Sequence, residues 1–200
     1  MGRVVVVRAH PSNQSFNRAL FDATCEGVES AGHEVVEHDL YDDRFDAAMT
    51  PEQRRDYEQG VASAPSLVAR YASDVQTADG LAFVFPIWWW SPPAAMKGWF
   101  EQVLCPGVAV NLDRRFGPPR PMLTNIRNVL AVSTNGSPRW AAAVMPDAGS
   151  HLVNRDLRAA CGLRTRMSWQ RFHSVDGSTD AERRQFIDDV RAAATIRFAR

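Results

Sequence analysis

The chain of 200 residues is predicted to be one α/β domain, in which a five-stranded parallel sheet is doubly wound, with helices on both faces. Short β-branched runs alternate with longer stretches of helical periodicity. The runs are continuously apolar, as in RVVVVRA at residues 3–9, which is typical of strands covered on both faces. Single domains extend to about 250 residues, so residues 1–200 are assigned to one domain.

The strands are predicted from short apolar runs bounded by turn residues. They are residues 3–9, 33–40, 80–86, 127–134 and 165–175. The third run, GLAFVFP, ends at Pro86, because proline cannot donate to a strand ladder.

The helices are predicted from apolar residues at spacings of three to five. The first begins at Ser15, includes Phe16 and Val28 among its apolar positions, and stops at Gly32. The later helices are residues 66–78, 93–104, 149–163 and 179–199. Polar residues near 178–180 are expected to cap the last helix.

Two long stretches interrupt this alternation. Residues 41–60 are polar and irregular, which indicates a surface loop with one helical turn after Pro51. Residues 106–126 hold four prolines and two glycines, and are therefore predicted to be an excursion rather than an element.

The composition argues against several partners. The 23 basic residues equal the 23 acidic ones, so no net field draws nucleic acid or an anionic membrane. No apolar run approaches the roughly 18 residues that span a bilayer, and MGRVVVVRAH lacks the features of a signal peptide, so a cytoplasmic location is expected. Cys25, Cys105 and Cys161 have no metal-ligand spacing and are expected to be small buried residues.

Three loops leave the carboxyl ends of predicted strands, at residues 9–17, 85–92 and 133–140. Parallel sheets of this kind bind ligands beyond the carboxyl ends of their strands, where the strand order reverses. The three loops are therefore expected to meet at one site.

The first loop, AHPSNQSFN, runs from a strand directly into a helix, whose N-terminus offers unpaired N–H groups to an anion. Short polar side chains and His10 add further donors. Neither a GxGxxG fingerprint nor a P-loop is present, which leaves a Ser/Asn-rich phosphate cradle. The alternative interpretation is simple helix capping by Ser15 or Asn13.

The second and third loops add an aromatic and a glycine-containing turn. Trp88, Trp89 and Trp90 follow Pro86, where backbone N–H groups have lost their sheet partners and an indole could lie against a flat ring. In STNGSPRW, Gly136 permits close backbone approach. The alternatives are packing of the tryptophans under a loop or in a dimer contact, and an ordinary turn. Together the three loops indicate a flavin mononucleotide (FMN) site.

Three segments, AHPSNQSFNRAL, FPIWWWSPPAAMKGWFEQVL and STNGS, resemble the flavodoxin-like NAD(P)H:quinone oxidoreductases. That family includes mammalian quinone reductases, bacterial modulator-of-drug-activity reductases and the ancillary flavoproteins of potassium-efflux systems. The resemblance extends from residue 3 to about 137 and is most specific from Pro93 to Phe100. It implies a flavodoxin-like fold and a homodimer, with the helix that contains Lys97 and Trp99 leading to the dimer contact.

The resemblance also implies that residues of all three loops bind the flavin. They are His10, Ser15, Phe16, Asn17, Pro86, Ile87, Trp88, Trp89, Ser133, Thr134, Asn135 and Gly136. Asn135 stands where a glycine is common in the family. Better-studied members carry a tyrosine and a histidine after the third loop. This chain has no tyrosine there, and the first histidine after its third loop is His151. Trp140 and His151 are the candidates for that neighbourhood.

The resemblance implies that NADH or NADPH first transfers a hydride to bound FMN. The reduced FMN then passes two electrons to a quinone or similar flat acceptor, in ping-pong order. FMN is favoured over FAD because no groove for an adenosine half is identifiable, although residues 106–126 could supply one. Two other hypotheses remain: a regulatory flavoprotein of a membrane transporter, and a flavodoxin-type electron carrier. The neutral charge argues against the carrier, which needs a charged docking patch.

Overall fold

The computed structural model describes residues 1–57, 66–111, 120–145, 149 and 152–199. Its main sheet has five strands, all parallel, in the order β2-β1-β3-β6-β7. They are β1 (Arg3–Arg8), β2 (Glu34–Asp39), β3 (Gly80–Pro86), β6 (Asn128–Thr134) and β7 (Arg166–Phe172). Two further short strands, β4 (Val110–Asn111) and β5 (Arg120–Pro121), form a separate antiparallel pair. The five-stranded parallel sheet predicted from the sequence is confirmed.

Helices cover both faces of the sheet. They are α1 (Phe16–Ser30), α2 (Pro51–Asp56), α3 (Ser66–Thr77), α4 (Ala94–Val103), α5 (Arg139–Val144), α6 (Leu157–Cys161) and α7 (Asp180–Phe198). A π-helical stretch, Leu152–Asp156, leads into α6, and a 3-10 turn, Val175–Gly177, follows β7. The helices α1 and α7 pack on one face of the sheet, and α3 and α4 pack on the other.

The central strands are buried on both faces, as their continuous apolar runs predict. Every residue of β3 is buried. In β1, Val4 and Val6 contribute to the core under α1 and α7, whereas Val5 and Val7 contribute to the core under α3 and α4. The three cysteines are buried and free, as expected.

Several boundaries differ from the sequence prediction. The strand predicted to end at residue 175 ends at Phe172, because Ser174 adopts a left-handed conformation (φ 55°) and starts the 3-10 turn. The excursion at 106–126 contains β4 and β5, and α5 was not predicted. The predicted helix at 149–163 is a π-helical stretch followed by α6 in its described part. Thr179 caps α7, within the predicted range.

Within the described residues, no helix is long and apolar enough to cross a membrane. Among the same residues, no group of histidine, cysteine and acidic side chains could hold a metal ion.

Candidate functional site

A cleft of about 400 Å³ opens at the carboxyl edge of the sheet, beyond β3 and β6. Ligand sites of small molecules fall in this size range. Its lining comes from the second loop, the third loop and the 3-10 turn after β7: Pro86, Ile87, Trp88, Trp89, Trp90, Thr134, Asn135, Gly136, Ser137, Val175 and Asp176. Two of the three predicted loops therefore form one cavity.

The tryptophan run forms a tight turn at one wall of this cleft. The N–H of Trp88 donates to the carbonyl of Ser91 at 2.9 Å, and the Ser91 N–H donates back at 3.1 Å. The two central residues, Trp89 and Trp90, have φ angles of 52° and 61°. Such left-handed pairs usually carry Asn-Gly, since each residue with a Cβ costs roughly 1–2 kcal/mol there. The turn is strained, as functional segments often are.

This turn leaves both aromatic surface and backbone donors exposed. Trp89 is 95% exposed and Trp88 is 44% exposed, while Trp90 is half-buried. Neither the Trp89 nor the Trp90 N–H has a hydrogen-bond acceptor in the described part of the chain. Trp89 and Trp88 are therefore not covered by a loop of the described chain, as one of the two alternatives expected, whereas Trp90 is partly covered.

The third loop forms the opposite wall. The Asn135 side chain accepts from the Ser137 N–H at 2.8 Å, and the Asn135 N–H donates to the Phe172 carbonyl at 2.8 Å. The side-chain oxygen and the backbone N–H of Asn135 are thus used to shape the turn. The Gly136 N–H, by contrast, has no acceptor among the residues described, so it is a free donor at the cleft.

The two residues before this turn anchor it to neighbouring strands. The Thr134 carbonyl accepts from the Ile87 N–H at 2.7 Å, which joins the second and third loops. The Ser133 hydroxyl is buried and accepts from the Trp169 indole at 2.8 Å. The Ser133 side chain therefore serves the scaffold.

The first loop lies beside the cleft but does not line it. The imidazole of His10 approaches the indole of Trp88, with ring centroids 5.9 Å apart. One ring nitrogen of His10, Nδ1, lies 3.1 Å from the Ser12 backbone nitrogen, which fixes the ring to its own loop. Burial lowers the pKa of His10 below its ordinary value, while the contact with the Ser12 backbone opposes this shift. All three predicted loops thus lie at one edge of the sheet.

The start of α1 contains an unusual buried amide. Ser15 caps the helix, since its hydroxyl accepts from the Arg18 N–H at 3.2 Å. Asn17, in the first turn, is 3% exposed, yet within the described chain neither its amide nitrogen nor its amide oxygen has a hydrogen-bond partner. A buried unpaired amide costs about 1–3 kcal/mol, so native proteins usually keep one for a ligand or water. Ser15 therefore caps α1, as the alternative interpretation of this loop expects. The unpaired amide of Asn17 indicates that the loop also binds a ligand.

A fully buried arginine holds the first loop in place through hydrogen bonds. Arg8, the last residue of β1, donates to the Asp39 carboxylate, to the Asn13 side chain at 2.8 Å and to the Ser12 carbonyl. The Asn13 amide also donates to Asp42 at 2.9 Å, so Asn13 is used within the protein. The sequence pattern gives no signal that Arg8 is buried under the first loop, because an arginine at the end of an apolar run is usually exposed.

The family of the chain follows from comparison with known proteins. Residues 2–196 match the Flavodoxin_2 model, described as a flavodoxin-like fold. The chain belongs to this family. The recognition made from the sequence is therefore confirmed.

Curated relatives of the chain include quinone reductases. It is 32% identical over 153 residues to NAD(P)H dehydrogenase [quinone] 1 of Rattus norvegicus, a match that covers 68% of this chain and 54% of the relative. It is also 34% identical over 107 residues to an uncharacterized NAD(P)H oxidoreductase of Escherichia coli, a match that covers 54% of this chain and 55% of the relative. The chain thus spans about half the length of the curated relatives it matches.

Solved structures agree on the fold over nearly the whole chain. An NAD(P)H:quinone oxidoreductase from Methanothermobacter marburgensis superposes with a TM-score of 0.81 at 24% identity, covering 97% of this chain and 98% of its own. An FMN-dependent NADH-azoreductase from Bacillus anthracis, solved in complex with FMN, gives a TM-score of 0.78 at 14% identity, with 100% of both chains covered. At these identities the likeness shows the shared flavodoxin-like fold.

Within this flavodoxin-like chain, several residues lie apart from the sequence-based interpretation of the site. The Phe16 ring packs against Phe172, with centroids 5.2 Å apart, so its side chain belongs to the scaffold. Trp140 is 73% exposed on α5 and does not line the cleft. His151 lies outside the described residues. Val175 and Asp176 line the cleft but lie outside the three predicted loops. Trp90 and Ser137 also line it and lie within the predicted loops, although the resemblance did not assign them to the flavin.

Proposed function

We propose that this chain is a flavoenzyme that uses FMN to pass electrons from NADH or NADPH to a quinone or similar flat acceptor. The observation that carries the proposal is the cleft itself. Its two walls hold exposed indoles and three backbone N–H groups, of Trp89, Trp90 and Gly136, that lack acceptors within the described chain. A planar heteroaromatic ring with polar edges would satisfy both features.

The residues of the first loop fit the phosphate end of the cofactor. The first-turn N–H groups of Phe16 and Asn17 have no intrahelical acceptor, as in any helix, and the helix dipole favours an anion there. The unpaired buried amide of Asn17 adds a side-chain donor at the same position. We favour FMN over FAD because the cleft and this cradle account for a ring and one phosphate.

When bound, FMN supplies the hydride-accepting and electron-donating chemistry. The chain supplies fixed N–H donors, which stabilise developing negative charge without reorganising. The strained turn keeps the Trp89 and Trp90 donors in place, and the exposed faces of Trp88 and Trp89 offer a surface against which a flat substrate can lie. Since one open slot serves both the nicotinamide and the acceptor, we propose ping-pong order.

We further propose a homodimer in which the partner covers the cleft. The indoles of Trp89 and Trp140 are 95% and 73% exposed, which is unusual for large aromatic side chains. Trp99, expected near the dimer contact, is fully buried in the core of its own chain and therefore cannot itself reach a partner. The cytoplasmic location stays a prediction from the sequence.

The activity is tested by steady-state turnover of FMN-loaded protein with NADPH or NADH and menadione. We expect more than about one turnover per second, within the usual range of enzymes. Trp89→Ala should lower kcat/KM, while Val144→Ala, an exposed residue of α5 outside the cleft lining, should not. A protein that binds FMN but gives no turnover would contradict the enzyme and favour an electron carrier or a regulatory flavoprotein.

A further inference from the structure

Among the described residues that line the cleft, Asp176 is the single acidic side chain. Asp176 lies in the 3-10 turn after β7, and its Oδ2 atom is 2.8 Å from the position that a Cβ on Gly136 would occupy. The carboxylate therefore lies directly against the glycine whose N–H is free. Within the described part of the chain, it has no ion-pair or hydrogen-bond partner.

The other lining residues that the structure describes carry no charge. The turn that bears Asp176 is held in place by the third loop, since the Ser174 N–H donates to the Ser137 carbonyl at 3.2 Å and the Val175 N–H donates to the Asn135 carbonyl at 3.1 Å. Arg183 also fixes this turn, through a 3.0 Å hydrogen bond to the Val175 carbonyl. The backbone that carries Asp176 is thus held against the third loop, with its carboxylate beside Gly136.

We propose that Asp176 lowers the reduction potential of the flavin bound in this cleft. The proposal rests on the proposed function, because it requires the ring to lie between the tryptophan turn and Gly136. Reduction adds negative charge to the ring, and a fixed carboxylate nearby destabilises that charge. Oxidised flavin is neutral in its ring and is affected much less. Asp176 therefore makes the enzyme a stronger reductant towards its acceptor.

This carboxylate acts against the free donors of the same cleft. The N–H groups of Gly136 and of the tryptophan turn stabilise negative charge on the ring, whereas Asp176 opposes it. The balance sets the potential between that of the nicotinamide and that of the acceptor. Position 176 is thus the place where a single side chain changes the potential without altering the backbone donors.

The test compares three variants with the wild type. Asp176→Asn removes the charge and keeps the shape, Asp176→Glu keeps the charge, and Glu29→Gln removes an exposed charge at the far end of α1. For each protein, FMN affinity in the oxidised state is measured by fluorescence titration, and the midpoint potential by equilibration with a reference dye.

We expect Asp176→Asn to bind oxidised FMN like the wild type but reduced FMN about tenfold more tightly, which raises the two-electron potential by about 30 mV. Asp176→Glu and Glu29→Gln should leave the potential near that of the wild type. Because salt screens exposed charges, the difference should shrink at 1 M salt, where the Debye length is about 3 Å.

The outcomes separate this proposal from the proposed function. Wild-type protein that binds FMN, with the same potential in Asp176→Asn, would overturn the role of Asp176 and leave the flavin site intact. Equal shifts in Asp176→Asn and Glu29→Gln would overturn it as well, since they would reflect net charge alone. Wild-type protein that binds no FMN would overturn both.

Discussion

Two tryptophan-containing clusters of this molecule are built in opposite ways. In the core, the Trp99 indole donates to His38 Nδ1 at 3.3 Å, and His38 Nε2 lies 3.2 Å from an Asp74 oxygen. The His38 ring stacks on Tyr71 with centroids 3.8 Å apart. His38, Tyr71 and Trp99 are completely buried, and every polar atom of their side chains has a partner.

At the cleft, Trp88, Trp89 and Trp90 show the reverse. Two of them adopt left-handed backbone conformations, two are exposed, and the backbone donors of Trp89 and Trp90 have no acceptor in the described chain. The core cluster has satisfied its hydrogen bonds by folding, whereas the turn keeps strain and free donors. The first cluster therefore contributes to stability, and the second is available to a ligand.

The largest expected effect is a difference in stability between substitutions in the two clusters. Trp99→Ala should lower the free energy of unfolding by about 3–5 kcal/mol, because it leaves a cavity and an unpaired His38 nitrogen. Trp89→Ala should change it by no more than about 0.5 kcal/mol, because the side chain is exposed. Urea unfolding monitored by circular dichroism measures both, and equal losses would contradict the contrast.

The second effect is a pH dependence of the core cluster. Burial lowers the pKa of His38 to about 4, from 6.5 in an unfolded chain; Arg70 adds to this, and the carboxylates of Asp74 and Asp43 oppose it. Between these pH values the unfolded chain binds a proton that the folded chain does not, so stability falls as pH drops from 6.5 to 4 and is unaffected by this group above 6.5.

The expected loss is about 3 kcal/mol over that interval, at about 1.4 kcal/mol per pH unit. Urea unfolding at pH 7, 5.5 and 4.5 measures it. His38→Gln is the control, since it removes the titrating ring while other acid-sensitive groups remain. The wild type should lose more stability than the variant, and parallel curves would refute the assignment.

A third effect concerns the unpaired amide beside the cleft. Asn17→Leu should leave the FMN-free protein at least as stable as the wild type, because it removes a buried group without partners. It should weaken FMN binding roughly 10- to 100-fold, since a hydrogen bond to a charged phosphate contributes about 1.5–3 kcal/mol.

The matched control for this prediction is Asn125→Leu. The Asn125 amide donates to the Ala78 carbonyl, so its loss should destabilise the protein and leave FMN affinity unchanged. Thermal melting and fluorescence titration give both quantities. If Asn17→Leu destabilised the protein and bound FMN normally, Asn17 would have a structural role only.

The smallest effect measures the strain of the tryptophan turn. Trp90→Gly should be more stable than Trp90→Ala by about 1 kcal/mol, because glycine adopts a φ of 61° without the clash of a Cβ. Both variants remove the indole, so their difference isolates the backbone. Urea unfolding of the FMN-free variants measures the two free energies of unfolding. If Trp90→Ala were as stable as Trp90→Gly or more stable, the turn would be relaxed.

Much of the fold could be predicted because its signals are local. The apolar runs of β1 and β3 are short and continuous, which is typical of strands buried on both faces. The meeting of the three loops followed from the topology of parallel sheets. The lack of hydrogen-bond partners for the buried Asn17 amide, in contrast, depends on packing by residues distant in the sequence, so it could not be predicted from a local pattern.

The missed part of the cleft had a signal that was overlooked. Residues 165–175 were predicted as one strand, although the sequence continues as Ser-Val-Asp-Gly-Ser, and Asp-Gly commonly marks a turn. Ending the strand earlier would have placed Asp176 in a fourth loop at the same edge of the sheet. Trp90 lies in the predicted aromatic loop, but the resemblance to the family assigns flavin-binding residues there only as far as Trp89.

The central claim is that this edge of the sheet binds FMN, and a titration of the FMN-free protein tests it most directly. Quenching of tryptophan fluorescence should follow FMN addition and saturate at one FMN per chain, because the indoles of the turn lie at the proposed ring site. A protein that shows neither quenching nor a change in the flavin spectrum at saturating FMN would contradict the account.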